Sequence, residues 1–449
     1  MKKIVFILSL VLILALSSVT AFADGVIITI DSSKVEFNDD LGFPFIDENY
    51  RTQVPFRATL EKFGAEVEWN SEEGTAIATK GDIVVEVPID ENYIIKNGEK
   101  ISVDTTARII NGRTYLPIRS VLVAFGSDVE WDAKLNTVVI TTEPVDAKAL
   151  YFAANEKSYS WKNYDMKAII DMSMDVPDAT GSVQTQKMTM NMDMTIFMNP
   201  IKAKINASML LPIMQNEIMP IMDMYMTMDE KGITQYMGMN DGTGNLSWMK
   251  QTIAMDMLSD LMKNDVETIQ KNKEMSEKYT KDVKYFGIYT DEDGRTLQRL
   301  QYTMSGDIYK EMFGEASEIM PEPTNEQEAM AVEMLKNLAT MEMADLTFIV
   351  YIDEATVEMV KMEMDLGDMI STMMSGMTAI LGEEIPPEAI EVFKSIKATM
   401  VAEILNINKA VDFEIPEEAL NAQDINEMLK EFQQLETETE VVVETEEEL

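Results

Sequence analysis

The chain lacks two of the residue types on which much protein chemistry depends. Its 449 residues contain no cysteine and no histidine. Without cysteine it can form no disulfide, thiolate nucleophile, iron–sulfur cluster or zinc–thiolate site. Without histidine it lacks the usual general base and the commonest transition-metal ligand. The sequence therefore predicts a protein that is not an enzyme, with no catalytic, cofactor-binding or metal-binding residues. Carboxylate-only chemistry, such as glycoside hydrolysis, is the enzymatic alternative.

Positive charge is also scarce. Lysine and arginine number 37 against 79 aspartates and glutamates, which gives a formal net charge of −42. A protein this acidic repels nucleic acid and anionic lipid, so we expect neither as a partner. Hydrophobic residues make up 46% of the chain, enough for sizeable cores, and the length fits two or three domains.

A long hydrophobic run occurs only near residue 1. Two lysines precede the apolar stretch 4–16, and residues 21–23 (AFA) have the small-x-small pattern of a cleavage site. These features predict a secretory signal peptide over residues 1–23, with an uncleaved anchor as the alternative. No later run is long enough to span a bilayer, and without cysteine a lipoprotein anchor at the cleavage site is excluded. We therefore expect a secreted, extracellular protein without a transmembrane segment in its mature chain, which is either soluble or held at the cell wall by binding.

One stretch of sequence occurs twice. Residues 51–69 read RTQVPFRATLEKFGAEVEW, and residues 113–131 read RTYLPIRSVLVAFGSDVEW, at a constant offset of 62 residues. A repeat this dense indicates one supersecondary unit that is used twice. The two copies define an N-terminal module, which we place at residues 24–145.

Each copy of the repeat predicts a strand, a helix and a hairpin. Pro55 and Pro117 stand where a helix begins, a position at which a missing N–H costs little. Apolar side chains then follow at helical spacing. Gly64 and Gly126 close the two helices, where a residue in the left-handed conformation is usual.

Two arginines of the repeat admit both a functional and a structural interpretation. Arg57 and Arg119 follow the prolines at the first turn of each helix. They can form an anion or saccharide clamp, or a salt bridge to a neighbouring carboxylate such as Glu68 or Glu130. Because both copies keep the arginine together with the packing residues, the structural interpretation is favoured.

Two tryptophans of the repeat likewise admit both a functional and a structural interpretation. Trp69 and Trp131 can be platforms on which a sugar ring stacks, or they can be core residues. Both fall at the inward phase of a Val-Glu-Trp strand, and tryptophans in that position more often belong to the core. The sequence therefore favours a structural role for them as well.

The second copy carries a family resemblance. Residues 111–140 read NGRTYLPIRSVLVAFGSDVEWDAKLNTVVI, which closely resembles the copper amine oxidase-like N-terminal (stalk) domain of secreted and cell-wall proteins in Gram-positive bacteria. In the oxidase this domain is an appendage, and the copper centre, which needs histidine ligands, lies in another domain. The resemblance implies a non-catalytic surface module that is often paired with varied partner domains.

Methionine dominates the region that follows, which we place at residues 150–422. In the segments 188–194, 222–228 and 360–364 apolar residues, mostly methionine, alternate with polar ones, a period of two that predicts amphipathic strands. Ten of these methionines define a candidate hydrophobic ligand face: Met188, Met190, Met192, Met194, Met222, Met224, Met226, Met228, Met362 and Met364. Three interpretations stay open, namely plain core, a concave face for a hydrophobic ligand, and a copper(I) site. Copper is the least favoured, because same-face residues of a strand lie about 6.6–7 Å apart.

The rest of this region alternates between strands and helices. Helices are expected over residues 251–279, 324–341 and 366–381, and short connections between most of the strands favour an antiparallel sheet. A second resemblance is to the lipoprotein-carrier superfamily of half-barrels. It rests on KAVDFEIPEEA at 409–419 and on the Trp-Met-Lys stretch at 248–250.

The fold class that follows is α+β. We expect a duplicated strand–helix–hairpin stalk module, then a large antiparallel half-barrel sheet with helices on one face. The acidic residues 423–449 are expected to form a C-terminal tail.

Two functions are compatible with this organisation. The first is a secreted, non-catalytic binding or scaffolding protein of the cell envelope that contacts a cell-wall component. The alternative is an extracytoplasmic carrier of a lipid or other amphiphile, a hydrophobic small molecule held in the methionine-lined half-barrel. An open apolar cavity on the order of several hundred Å³ beneath the sheet would favour the carrier, and a filled core would favour the scaffold.

Overall fold

The computed structural model describes residues 26–177, 182–210, 218–230, 232–240, 245–254, 266–319, 326–367, 369–370 and 387–425. The predicted signal peptide and nearly all of the predicted acidic tail lie outside these residues. The described part is mostly β-structure and contains eight helices, which agrees with the α+β class. Among these helices none is long and apolar enough to cross a membrane.

The N-terminal module is built from short strands and two short helices. In chain order they are β1 (Ile27–Ile30), β2 (Ser33–Lys34), β3 (Phe45–Ile46), β4 (Thr52–Pro55), α1 (Phe56–Lys62), β5 (Glu66–Asn70), β6 (Thr75–Lys80), β7 (Ile83–Pro88), β8 (Tyr93–Lys96), β9 (Glu99–Ser102), β10 (Arg108–Ile110), β11 (Arg113–Pro117), α2 (Ile118–Ala124), β12 (Asp128–Asp132) and β13 (Thr137–Thr141). They form three sheets with the strand orders β12-β13-β1-β2, β10-β11-β4-β3 and β5-β6-β7-β8-β9. One hydrophobic cluster joins both copies of the repeat.

The two helices begin and end where the sequence predicts. Each starts directly after a proline of the repeat. Gly64 and Gly126 follow the helices with φ values of +85° and +90°, the left-handed conformation that glycine adopts without a Cβ clash. Leu60 and Leu122, at equivalent positions, are fully buried and fix each helix to the shared core.

The two copies are paired about an approximate two-fold axis. β4 and β11 run antiparallel, with Val54 directly opposite Leu116, its own equivalent in the second copy. Phe63 and Phe125 are also equivalent, and their ring centroids lie 5.5 Å apart. Because each pair joins a residue to its own counterpart, the interface between the copies is of the isologous kind.

The methionine-rich region forms one sheet of twelve strands. Its elements are α3 (Ala147–Ser158), β14 (Asn163–Pro177), β15 (Val183–Met198), β16 (Ile201–Leu210), β17 (Ile218–Asp229), β18 (Gly232–Asn240), β19 (Leu246–Ala254), α4 (Val266–Tyr279), β20 (Thr280–Thr290), β21 (Thr296–Met304), α5 (Asp307–Ile319), α6 (Glu326–Thr340), β22 (Leu346–Asp353), β23 (Met359–Asp365), α7 (Pro387–Lys394), β24 (Lys397–Leu405), α8 (Glu417–Leu420) and β25 (Gln423–Asp424). The strand order is β20-β21-β22-β23-β24-β14-β15-β16-β17-β18-β19-β25. Every neighbouring pair is antiparallel except β19 and β25.

Two boundaries differ from the sequence-based expectation. The helix predicted from residue 251 is wrong at its start, because residues 251–254 continue β19 along its partner β18, and the described helix α4 spans Val266–Tyr279. Strand pairing therefore overrides the local helical pattern there. Gln423 and Asp424 pair with β19, so the sheet extends two residues beyond the expected boundary at 422. The helix predicted over 366–381 falls mostly outside the described residues.

Candidate binding surfaces

The ten candidate methionines lie on one face of the twelve-stranded sheet. Residues directly opposite one another on neighbouring strands share a face, as does every second residue of one strand. Met364 is opposite Met400, which is opposite Ile170. Ile170 is in turn opposite Met190. Strand registers and the alternation along each strand place all ten on this methionine face: Met188, Met190, Met192, Met194, Met222, Met224, Met226, Met228, Met362 and Met364.

Helices cover part of the methionine face. α3 places Tyr151 against Tyr302, with ring centroids 4.1 Å apart and an angle of 10° between the planes. In the middle of the sheet, Met172 and Met188 are buried in a cluster with Phe393 of α7. The other nine candidate methionines are half-buried. This part of the face is therefore core for at least two of its strands.

A small cavity remains between the methionine face and α4. Its volume is about 210 Å³, and its lining includes Tyr151, Met275, Phe348 and the candidate Met362. Sites for small molecules typically measure about 300–1,000 Å³. At the described residues, the space beneath the sheet is thus closer to a filled core than to an open pocket.

A larger cleft, of about 710 Å³, lies in the N-terminal module. Of the two arginines and two tryptophans discussed for the repeat, Arg119 and Trp131 line this cleft. Residues just before β4 and just after β9 complete its wall. Both copies of the repeat therefore contribute. The aromatic and polar side chains of the cleft are Tyr50, Arg51, Thr52, Ser102, Asp104, Arg119, Ser120, Glu130 and Trp131.

The formal charges of the cleft are balanced. Arg51 Nε donates to Asp104 Oδ2 at 2.6 Å, which joins the first copy of the repeat to the segment after β9. Glu130 Oε2 accepts from Lys284 Nζ of β20 at 3.0 Å. Arg119 is exposed and has no ion-pair partner among the described residues. The cleft thus places guanidinium donors beside carboxylate acceptors. Across the described part of the chain, no group of three acidic side chains is placed to hold a metal ion.

The equivalent side chains of the first copy lie outside this cleft. Arg57 Nη1 is 3.4 Å from Glu61 Oε1, one helical turn away, so this arginine pairs with a neighbouring carboxylate of its own helix and not with Glu68. Trp69 is 42% exposed, and the expectation that it belongs to the core is also wrong. β5, which carries it, is an edge strand with only β6 beside it. Trp131 is half-buried and packs against the core of the module.

The second copy also forms the contact between the N-terminal module and the twelve-stranded sheet. We call this the inter-module contact. Val139 is buried in a cluster whose other members belong to the sheet, including Phe286 and Tyr351. The backbone N–H of Ile288 donates to Ser32 Oγ at 2.7 Å. A Cβ at Gly287 would lie 2.7 Å from the same oxygen, so only glycine permits this close approach.

A buried ion pair lies at the centre of the inter-module contact. Arg299 Nη1 donates to Asp132 Oδ2, and the two side chains are only 5% and 1% exposed. Arg299 Nε also donates to the Tyr351 hydroxyl at 3.2 Å. Burial opposes the charge on the guanidinium, but the hydrogen bonds and charge interactions with Asp132 and Tyr351 together outweigh burial and hold the pKa of Arg299 above its ordinary value. Burial raises the pKa of Tyr351 to about 12.

A second ion pair flanks the first. Lys134, in the turn after β12, pairs with Glu363 of β23, whose other oxygen accepts from the Tyr351 hydroxyl at 2.9 Å. Burial raises the pKa of Glu363, but the bonds from Lys134 and Tyr351 to its charged form outweigh burial, and its pKa lies below the ordinary value. The two ion pairs and Tyr351 form one hydrogen-bonded network.

Sequence reasoning missed the residues that make this contact. Asp132 and Lys134 lie just beyond the repeated block, where the first copy has Asn70 and Glu72. The sequence signals for this contact were the change from the amide of Asn70 to the carboxylate of Asp132 and the change from the acid Glu72 to the base Lys134. The basic and acidic partners on the sheet carry no motif, since they meet the module only through folding.

The comparison with known families bears on this module alone. No curated protein matches the chain. The family model of the copper amine oxidase N-terminal domain matches residues 29–140, about a quarter of the chain. The match includes both copies of the repeat, the cleft and β12, and the twelve-stranded sheet lies outside it. Residues 29–140 are therefore similar to the copper amine oxidase N-terminal domain.

Proposed function

We propose that the protein is a secreted, non-catalytic binding and scaffolding protein of the cell envelope, whose N-terminal module binds a wall component in its cleft. The observation that carries this proposal is the cleft of about 710 Å³, which is larger than the cavity of about 210 Å³ beneath the sheet. Its volume falls within the range of about 300–1,000 Å³ that is typical of ligand sites.

The inter-module contact supports the scaffolding part of the proposal. β12 supplies Glu130 and Trp131 to the cleft and Asp132 to the buried ion pair. One wall of the cleft is therefore attached to the twelve-stranded sheet. A site needs such support, because side chains on a rigid element are held in place for binding. The sheet would then present the cleft in a fixed orientation at the envelope.

A sedimentation assay with purified Gram-positive cell walls tests the proposal. We expect the mature chain, from Asp24, to sediment with the walls, and Arg119→Ala to lower the bound fraction. Arg57→Ala is the matched control, because Arg57 occupies the equivalent position outside the cleft. Absence of sedimentation, or an equal loss in both variants, would contradict a role for the cleft in wall binding.

Export is part of the same proposal. It rests on the charged start, the apolar stretch and the cleavage pattern of residues 1–23. Expressed with its own amino terminus in a Gram-positive host, the protein should accumulate outside the membrane with Asp24 as its first residue. Amino-terminal sequencing of the extracellular fraction measures this, and a cell-bound product that still carries residue 1 would contradict it.

One observation favours the carrier as a second candidate function. The methionine face runs across most of the twelve-stranded sheet, and nine of its ten candidate residues are half-buried. Flexible thioethers adapt to apolar ligands of varied shape. Native mass spectrometry of protein purified from a Gram-positive host separates the candidates. A co-purified lipid that is lost in Met224→Glu, but kept in the outer-face control Thr227→Glu, would support carriage.

A further inference from the structure

Tyr50 lies at the rim of the cleft and has a backbone conformation that is occupied by a glycine at the equivalent position of the second copy. Its φ is +58°, in the left-handed region that bulky residues rarely adopt, and its side chain is 86% exposed. The equivalent position in the second copy is Gly112, with φ +74°. The first copy thus has a strained backbone and an exposed aromatic ring where glycine would avoid both.

The surrounding loop holds Tyr50 in this conformation. Asp47 Oδ1 accepts the backbone N–H groups of Asn49 and Arg51, each at 2.9 Å. The N–H of Tyr50 itself donates to the carbonyl oxygen of Asp47 at 3.0 Å. Asp47 is buried and also accepts from Thr105 Oγ1 at 2.6 Å. Strain that is maintained in this way is typical of residues with a binding role.

The charges of the cleft indicate the kind of ligand. Two arginines and two carboxylates line it, so its formal charge is zero, and the whole chain carries −42. An anionic polymer would be repelled at long range, and a cation would meet the unpaired guanidinium of Arg119. Donors and acceptors placed side by side match hydroxyl groups, which both donate and accept hydrogen bonds.

We propose that the cleft binds a neutral oligosaccharide. Tyr50 and Trp131 provide aromatic surfaces for the apolar faces of sugar rings. Arg119, Ser120 and Asp104 provide partners for the hydroxyl groups. This inference rests on the proposed function and names the ligand class of the same cleft.

Isothermal titration calorimetry with defined tetrasaccharides tests the inference on the mature chain. The neutral panel consists of β-1,4 tetramers of N-acetylglucosamine and glucose and of mannose and galactose tetramers, and a tetragalacturonate is the anionic comparison. We expect saturable binding of at least one neutral tetramer and none of the tetragalacturonate. Tyr50→Gly should raise the Kd at least tenfold while the midpoint of urea unfolding stays the same or rises, because glycine relieves the left-handed strain.

The repeat supplies a matched control. Trp131→Ala should raise the Kd at least tenfold, whereas Trp69→Ala, at the equivalent exposed position outside the cleft, should leave it within twofold. Binding that is unchanged by Tyr50→Gly, or that occurs only with the anionic tetramer, would overturn the inference. If no neutral tetramer binds while cell walls still sediment the protein, the ligand class is wrong and the proposed function stands. If cell walls also fail to bind the protein, the proposed function is wrong.

Discussion

The two copies of the repeat share a sequence and a core but meet different surroundings. In the first copy, β6 pairs with β7, and the strands β7–β9 extend its sheet. In the second copy, β13 pairs in parallel with β1, and β12 lies against the twelve-stranded sheet. The repeated block therefore builds the framework of the module, and the neighbours of each copy decide what its surface residues do.

One pair of equivalent positions shows how this difference arises. Asn70 Oδ1 accepts the backbone N–H groups of Glu72 and Glu73 at 3.1 and 3.2 Å. Asp132 Oδ1 caps the equivalent turn in the same way, with both donors at 3.1 Å. The second oxygen of Asp132 is then available to accept from Arg299, whereas the second polar atom of an asparagine is a donor. Asp132 therefore caps a turn and also lies at the centre of the inter-module contact.

The largest expected effect follows from exchanging these two residues. Asp132→Asn keeps the turn cap but leaves Arg299 buried without a counter-charge, which should cost about 3–5 kcal/mol in the free energy of unfolding. Asn70→Asp, the reverse change in the first copy, loses the bond from Nδ2 to Glu73 Oε2 at 2.9 Å and should cost about 1 kcal/mol. Urea unfolding followed by circular dichroism measures both. Equal effects would mean that the ion pair does not hold the module to the sheet.

The next largest effect should be the same in both copies. Leu60 and Leu122 are each fully buried in the shared core. Replacing either by alanine should cost about 2–5 kcal/mol, the usual range for a buried leucine. Measured by the same urea unfolding, the two values should agree within about 1 kcal/mol. A much smaller loss for one leucine would show that the cores of the two copies are not equivalent.

The framework of the module could be predicted because its signals are local. A proline at the start of each helix, a glycine after it and apolar residues at helical spacing fix the unit without reference to the rest of the chain. Period-two methionines likewise placed the ten candidate residues on one face of a sheet. The pairing of β4 with β11 and the insertion of β24 beside β14 were not predicted, since such contacts depend on distant parts of the chain.

The surface roles could be predicted only in part for the same reason. Trp69 and Trp131 have the same local pattern, yet Trp131 packs against the module core whereas Trp69 is 42% exposed, and the repeat itself does not show this difference. The cleft combines Arg51 of the first copy, Asp104 of the segment between the copies and Trp131 of the second copy. No single segment of the sequence predicts that combination. The difference between Tyr50 and Gly112 was visible in the repeat, but its meaning required the backbone angle and the cleft.

A smaller effect should separate the two tryptophans in stability. Trp131 packs against the module core, so Trp131→Ala should lower the free energy of unfolding by about 1–2 kcal/mol. Trp69 is 42% exposed, and Trp69→Ala should cost less than about 1 kcal/mol. Urea unfolding followed by circular dichroism is suited to both variants, because it does not depend on the fluorescence of the tryptophan removed. A larger loss for Trp69 would contradict the exposure difference between the copies.

The smallest expected effect is a pH dependence of the inter-module contact. The pKa of Glu363 is lowered in the folded protein from an ordinary value of 4.5, because Lys134 and Tyr351 bind its charged form more strongly than burial opposes it. A carboxyl with a lowered folded pKa contributes its full stability above the unfolded pKa and loses it as pH falls through the folded pKa. Wild type should therefore lose more stability than Glu363→Gln between neutral pH and a pH below 4.5.

The difference between variants isolates this contribution from that of the many other acids in the chain. We expect the gap in urea midpoint between wild type and Glu363→Gln to be widest at neutral pH and to narrow as the solution is acidified. Glu68→Gln, which changes an exposed carboxyl in the first copy, should run parallel to wild type across the same range. A gap that stays constant with pH would mean that Glu363 is charged equally easily in the folded and unfolded chains. The second copy would then owe its attachment to Arg299 and the apolar cluster around Val139, and the charge reversal between Glu72 and Lys134 would have no measurable effect on stability.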